Sequence, residues 1–133
     1  MINQGDLTFI DEAAKYGLDF EGLAVHAVFF DFDKDGDLDC YLLNNSIRSV
    51  GGYDIIKGQR EIPNPKGGNK LLKSKLTESN GEDLQYQDVT QEAGIYSSSI
   101  GFGLGVSVSD LNNDGWPDIF VSNDFFEKDY LFI

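Results

Sequence analysis

Asp31-Phe32-Asp33-Lys34-Asp35-Gly36-Asp37-Leu38-Asp39 and Asp110-Leu111-Asn112-Asn113-Asp114-Gly115-Trp116-Pro117-Asp118 are one loop written twice. Acidic or amide side chains stand at positions 1, 3, 5 and 9 of each loop, with glycine at position 6. In a tightly curled loop alternate residues point inward, so positions 1, 3 and 5 converge on one point, and glycine takes the sharp turn that a Cβ would hinder. Position 7 adds a backbone carbonyl and position 9 a further carboxylate. The spacing predicts an oxygen-only cage from Asp31, Asp33, Asp35, Asp37 and Asp39 in the first loop, and from Asp110, Asn112, Asp114, Trp116 and Asp118 in the second. Such donors suit a hard cation of flexible coordination, Ca²⁺ before Mg²⁺ and not Zn²⁺, so two Ca²⁺ sites are expected. Many acidic turns are merely solvated, but carboxylates this closely spaced repel one another without a cation, and the spacing recurs at equivalent places.

The same start opens an EF-hand, which needs a bidentate Glu at position 12 and a helix on each side. Position 12 is Leu42 in one loop and Val121 in the other. The flanks read as strands. Val25 to Phe29 and Leu104 to Val108 run into the loops, and Leu38 to Leu43 and Ile119 to Ser122 run out of them, rich in β-branched and aromatic residues.

Working outward, the repetition covers most of the chain. Leu7 to Asp11 aligns with Leu84 to Asp88, and Ala14 to Leu18 with Gln91 to Ile95, at an offset of 77. The offset then becomes 79, pairing Gly22 with Gly101, Asp31 with Asp110, Asp39 with Asp118 and Asn44 with Asn123. Asn69 to Leu72 aligns with Asp129 to Phe132 at an offset of 60, which places a 19-residue insertion within residues 46–68. Its glycines and prolines read as a long surface loop. Strands are expected at Leu71 to Leu76 and Leu84 to Val89, joined by a hairpin turn at Asn80-Gly81. Short helical turns are expected at Asp11 to Tyr16 and Asp88 to Ala93, stopped by Gly17 and Gly94. Four short strands per copy is the content of a propeller blade.

The 133 residues carry a formal charge of −13. That balance argues against a nucleic-acid backbone or an anionic membrane surface as the main partner. The loops hold 8 of the 23 acidic residues, and two bound Ca²⁺ would bring −13 to −9. With 41% hydrophobic and 13% aromatic residues the chain is expected to fold. Cys40, the single cysteine, allows no intrachain disulfide, aligns with Ile119 and is expected to be a small buried hydrophobe. His26 is expected on a strand face, since no nucleophile or carboxylate is in register to make it catalytic. No apolar stretch is long enough to span a bilayer as a helix.

With these residues laid out, the pattern resembles the FG-GAP or VCBS-type repeat of integrin-like β-propellers, most closely the bacterial and cartilage-acidic-protein-like branch. Phe102-Gly103 lies eight residues ahead of Asp110, where that family's Phe-Gly precedes its calcium loop. Leu84 to Ile95 is similar to its inter-repeat segment, and Val121-Ser122-Asn123-Asp124 stands at its Gly-Ala-Pro part. In the first copy Leu23-Ala24 replaces Phe-Gly. The resemblance implies an all-β chain of about two four-stranded antiparallel blades. Repeat one runs over about residues 7–83, with the inserted loop 46–68, and a truncated repeat two over 84–133. The chain is expected to begin at the hairpin turn before one blade's last strand. Two repeats cannot close a ring, so it is expected to be a fragment of a larger, seven-bladed-type propeller.

The resemblance further implies a non-enzymatic, calcium-stabilised module of a secreted or cell-surface protein, outer-membrane-associated if bacterial, that binds a protein or glycan ligand. The alternative is a structural blade set within a larger polysaccharide-processing enzyme or uptake protein. An exposed Trp116 beside a metal would be a contact residue for such a ligand. Charge count alone predicts that the first loop, with Asp33 where the second has Asn112, binds Ca²⁺ more tightly.

Overall fold

In the computed structural model, which describes residues 1–46, 59–64, 66–78, 85–125 and 127–133, each Asp-rich loop joins two antiparallel strands. In chain order, β1 (Ile2–Asn3) and β2 (Phe9–Ile10) form a hairpin. β3 (Leu23–Phe30), β4 (Asp39–Asn45), β5 (Lys70–Ser74) and β6 (Tyr86–Asp88) form a four-stranded antiparallel meander in that order. β7 (Gly103–Ser109), β8 (Asp118–Asn123) and β9 (Tyr130–Phe132) form a second meander. The chain is all-β, and these sheets are consistent with propeller blades. The second has three strands, as the truncated second repeat led us to expect. A strand, β1, precedes the turn at which the chain was expected to begin. It pairs with β2 in the register that β5 keeps with β6: Ile2 opposite Ile10 and Asn3 opposite Phe9 match Lys73 opposite Gln87 and Ser74 opposite Tyr86.

The registers superimpose the two repeats. Cys40 pairs with Leu72 as Ile119 pairs with Phe132, and both leading strands carry a bulge, between Ala24 and His26 and between Gly103 and Gly105. The pairing is reinforced twice by one device. The Asn44 amide N–H donates to Asn69 Oδ1 (3.1 Å) and its side chain to the Gly68 carbonyl (2.8 Å). Asn123 repeats this with Asp129 Oδ1 and the Lys128 carbonyl, both at 2.8 Å. A short 3₁₀ turn, Ala13–Tyr16, ends at Gly17 in the left-handed region (φ 69°). Its counterpart after Asp88 is a hydrogen-bonded turn instead of a helix, with Ile95 N–H donating to the Thr90 carbonyl (2.9 Å) and Gly94 at φ 70°. No helix among the described residues is long and apolar enough to cross a membrane.

The sheets pack through different faces. Tyr41, Leu43 and Leu71 of the first meet Ile119, Val121 and Tyr130 of the second, with Val89 and Ile95 of the connecting segment completing the core. Each such side chain contributes about 1.5–3 kcal/mol when removed from water. In repeat register Tyr41 corresponds to Phe120 and Leu71 to Leu131, and these two are exposed. The interface is therefore head-to-tail, and the second sheet presents outward the face that the first one buries. Cys40 is buried on the first sheet's other face, level with Phe29 and Leu72, as expected. Burial pushes its thiol up to about 11, with the Asp39 charge adding. His26 lies exposed on β3.

Several contacts join the repeats at their edge, among them the bond from Ser46 Oγ to the Ser99 carbonyl (2.9 Å). Ser46 N–H donates to the Gly101 carbonyl (2.7 Å), and Asn45 bridges to Phe102. The expected turn at Asn80-Gly81 and residues 47–58 of the insertion lie outside the described residues. Residues 59–64 and 66–68 are more than a surface loop. A 3₁₀ turn at Gln59–Glu61 brings the Arg60 guanidinium to the buried Glu127 carboxylate, Tyr96 Oη donates to the Arg60 carbonyl, and Pro63 bridges to Ser98. The insertion thus clamps the second repeat.

Gly103 is the tightest point of the packing: a Cβ built there would lie 2.3 Å from Leu43 Cδ1 and 2.6 Å from its Cγ, and Leu43 is fully buried. Gly103→Ala is expected to lower the unfolding free energy by about 1–3 kcal/mol through overpacking. Ala24→Gly, at the equivalent exposed position, is expected to change it by less than about 1 kcal/mol. Urea denaturation of both variants checks the pair, and equal effects would show that close approach to Leu43 is not what Gly103 provides.

Candidate metal centre

The two loops share a backbone scaffold organised by the side chain at position 1. Asp31 accepts from the amides of Asp35 (Oδ1, 3.1 Å) and Gly36 (Oδ2, 3.0 Å). Asp110 accepts from those of Asp114 (Oδ1, 3.1 Å) and Gly115 (Oδ2, 2.8 Å). Position 4 is left-handed in both, Lys34 at φ 62° and Asn113 at φ 61°, followed by Gly36 at 96° and Gly115 at 89°. Asparagine tolerates that region and lysine does so at a cost. The glycine at position 6 is thus required by its dihedral, as the spacing implied.

Position 9 closes each loop. Asp39 Oδ2 accepts from Phe32 N–H (3.0 Å) and Asp118 Oδ2 from Leu111 N–H (2.7 Å), and both aspartates are buried. Asp39 Oδ1 also accepts from Ser74 N–H (2.8 Å), tying the loop to the end of β5. Burial raises the Asp39 carboxyl above its ordinary range, the Ser74 and Phe32 amides oppose this, and the nearby Asp33 and Asp37 charges add to it.

Of the first-loop residues expected to converge, Asp31, Asp33 and Asp39 each place one oxygen within 4.8 Å of the others. Asp33 Oδ1 is buried without a hydrogen-bond partner. A group of carboxylate oxygens with one of them unsatisfied fits a cation. Asp35 and Asp37 bond outside this triad, although Asp37 Oδ1, like Asp33 Oδ1, is buried without a hydrogen-bond partner. Asp37 is buried and its Oδ2 accepts from Thr77 N–H (2.8 Å), so its carboxylate anchors the loop to the chain after β5. Asp35 Oδ1 accepts from Asp37 N–H (3.2 Å), and its Oδ2 lies 3.1 Å from Lys73 Nζ. Lys73 also pairs with Asp33 and stands 3.9 Å from Glu78. Hydrogen bonds to Asp33 and Asp35 hold the Lys73 ammonium above its ordinary range. Lys73 and Thr77 were missed by sequence reasoning. The available signal was weak, since Leu71 to Leu76 holds two lysines, Lys73 and Lys75, and only alternation along the strand separates their faces.

The second loop is exposed where the first is half-buried. Asn112 Nδ2 donates to Asp114 Oδ2 (2.8 Å) and Trp116 N–H to Asp114 Oδ1 (2.8 Å), and these bonds hold the Asp114 carboxyl below its ordinary range. Asp110, Asp114 and Asp118 do not form a triad as tight as the first loop's. Trp116 is half-exposed, with Lys34 Nζ 4.0 Å from its ring centroid, so a cation–π contact links the loops. Away from both, a cavity of about 640 Å³ opens beside the insertion, lined among others by Arg60, Asn64, Lys70, Thr90 and Tyr96.

The position-9 bonds give a prediction independent of any metal. Asp39→Ala strands the buried amides of Phe32 and Ser74 and is expected to cost about 2–4 kcal/mol in chelator. Asp114→Ala, in the exposed loop, is expected to cost less than Asp39→Ala in the same denaturation assay.

No curated protein and no solved structure matches the chain. The family comparison matches residues 102–130, which run from Phe102-Gly103 through the second Asp-rich loop to Tyr130, to the FG-GAP repeat, so this part of the chain is similar to an FG-GAP repeat.

Proposed function

We propose that the chain is a calcium-binding, non-catalytic β-propeller repeat module of a secreted or cell-surface protein, whose loops stabilise blades that bind a protein or glycan ligand. The observation that carries the calcium reading is the crowding of Asp31, Asp33 and Asp39 oxygens within 4.8 Å around an unpartnered Asp33 Oδ1. Asp31, Asp33, Asp35 and Asp39, with the position-7 carbonyl of Asp37, would hold the ion in the first loop. Asp110, Asn112, Asp114 and Asp118, with the carbonyl of Trp116, would hold it in the second. Bound Ca²⁺ supplies positive charge that cancels carboxylate repulsion, and this chain's residues do the rest. Asp31 and Asp110 keep the loops curled, and Asp39 and Asp118 fasten them to the strands.

Head-to-tail packing supports the reading as one module among further blades of a larger protein. Phe120 and Leu131 repeat the face that Tyr41 and Leu71 bury, so the same operation offers a seat for another sheet. An affinity of 10⁻⁴ to 10⁻³ M, as in extracellular modules, would suffice outside a cell.

Ca²⁺ at about 100 times its dissociation constant is expected to stabilise the chain by about 2.7 kcal/mol per site, read as a rise in melting temperature that chelation removes. Tb³⁺ is expected to luminesce on excitation of Trp116, with excess Ca²⁺ quenching it. No sensitised signal together with an unchanged melting temperature would overturn the reading.

A further inference from the structure

Lys73 sits on the face of β5 that also carries Leu71, and its ammonium reaches the two carboxylates at positions 3 and 5 of the first loop. The contact takes one oxygen of each, Asp33 Oδ2 and Asp35 Oδ2. Asp35 Oδ1 is already held by Asp37 N–H, so Oδ2 is the oxygen left for a ligand, and Lys73 holds it. Of Asp33, only Oδ1 is free. All three side chains are about three-quarters buried, which reduces the solvent screening of their attraction.

The second repeat lacks this device. Register superimposes Leu72 on Phe132, and the next residue, at the place of Lys73, is Ile133. Its Asp114 Oδ2 accepts from the Asn112 side-chain amide, a neutral group that one rotation removes, while the nearby Lys34 ammonium sits on the Trp116 ring. Counting carboxylates favours the first loop, but Lys73 cancels one of those charges and must be parted from Asp33 and Asp35 before an ion can take the oxygens it holds.

We infer that Lys73 is a built-in counter-cation of the first loop, which takes Ca²⁺ only as Lys73 withdraws, so that the second loop is the tighter site. This rests on the calcium reading and reverses the ranking that charge count predicts. Lys73 thereby offsets part of the first loop's charge at low Ca²⁺ and ties the loop to β5 before an ion arrives.

The test is a Ca²⁺ titration of the 133-residue chain followed by amide NMR, reading each loop from its own glycine. Gly36 N–H donates to Asp31 and Gly115 N–H to Asp110, so each reports one site. In the wild type Gly115 is expected to saturate at lower Ca²⁺ than Gly36. Lys73→Met is expected to tighten the Gly36 site about tenfold or more and to leave Gly115 unchanged. Lys73→Gln keeps a polar group, serves if the methionine variant does not fold, and is expected to act in the same direction. Lys73→Arg keeps the cation and is expected to bind as the wild type does. Gly36 saturating first in the wild type, or neutral variants that leave its affinity unchanged or lower, would overturn the inference while Gly115 still responds. Silence at both glycines in every variant would overturn the calcium reading itself, and the inference with it.

Discussion

The contact between Leu43 and Gly103 sets the distance between the two sheets, and the other inter-sheet contacts follow from that distance. A fully buried leucine lies where any side chain at 103 would stand. At this separation Tyr41 and Leu71 reach Ile119, Val121 and Tyr130, and interdigitation at interior density provides the main free energy holding the repeats together. The edge hydrogen bonds at Ser46 and Asn45, and the Lys34–Trp116 contact between the loops, depend on the same placement. The Phe102-Gly103 pair thus has a packing reason: Gly103 admits the preceding sheet, and Phe102 meets Phe125 edge to face at 4.8 Å.

The Asp-rich loops are built to hold their shape through backbone amides. Position 1 gathers the amides of positions 5 and 6, and position 9 gathers that of position 2, in both repeats. These bonds keep carboxylates together despite their mutual repulsion, because a buried or half-buried acid that accepts two N–H groups has exchanged water for fixed donors. The loops differ in their surroundings. The first lies under the end of β5 and the chain after it, which supply Lys73, Ser74 and Thr77. The second is more exposed, and an asparagine takes the place of an acid.

The inserted segment shows how a repeat can diverge without losing its fold. Within it Arg60 and Pro63 reach the second repeat and hold Glu127 and Ser98. Glu127 is a buried acid, and such a group is tolerated only when paired.

The sequence by itself determined the repetition, the strands on either side of each loop, and the left-handed glycines at positions 17, 36, 94 and 115. These follow from local chemistry: periodicity, turn residues, and carboxylate spacing. Sequence also aligned Asn44 with Asn123, although only the structure explains it, as one side-chain device used twice. Tertiary structure alone decided which acids converge. Asp31, Asp33 and Asp39 meet, while Asp37 leaves for Thr77 and Asp35 for Lys73, because residues some 40 positions away in the chain fold over the loop. It also decided that the sheets meet through different faces, leaving Phe120 and Leu131 outside. A one-dimensional pattern shows that both faces of a strand are apolar, and only packing assigns each one its neighbour.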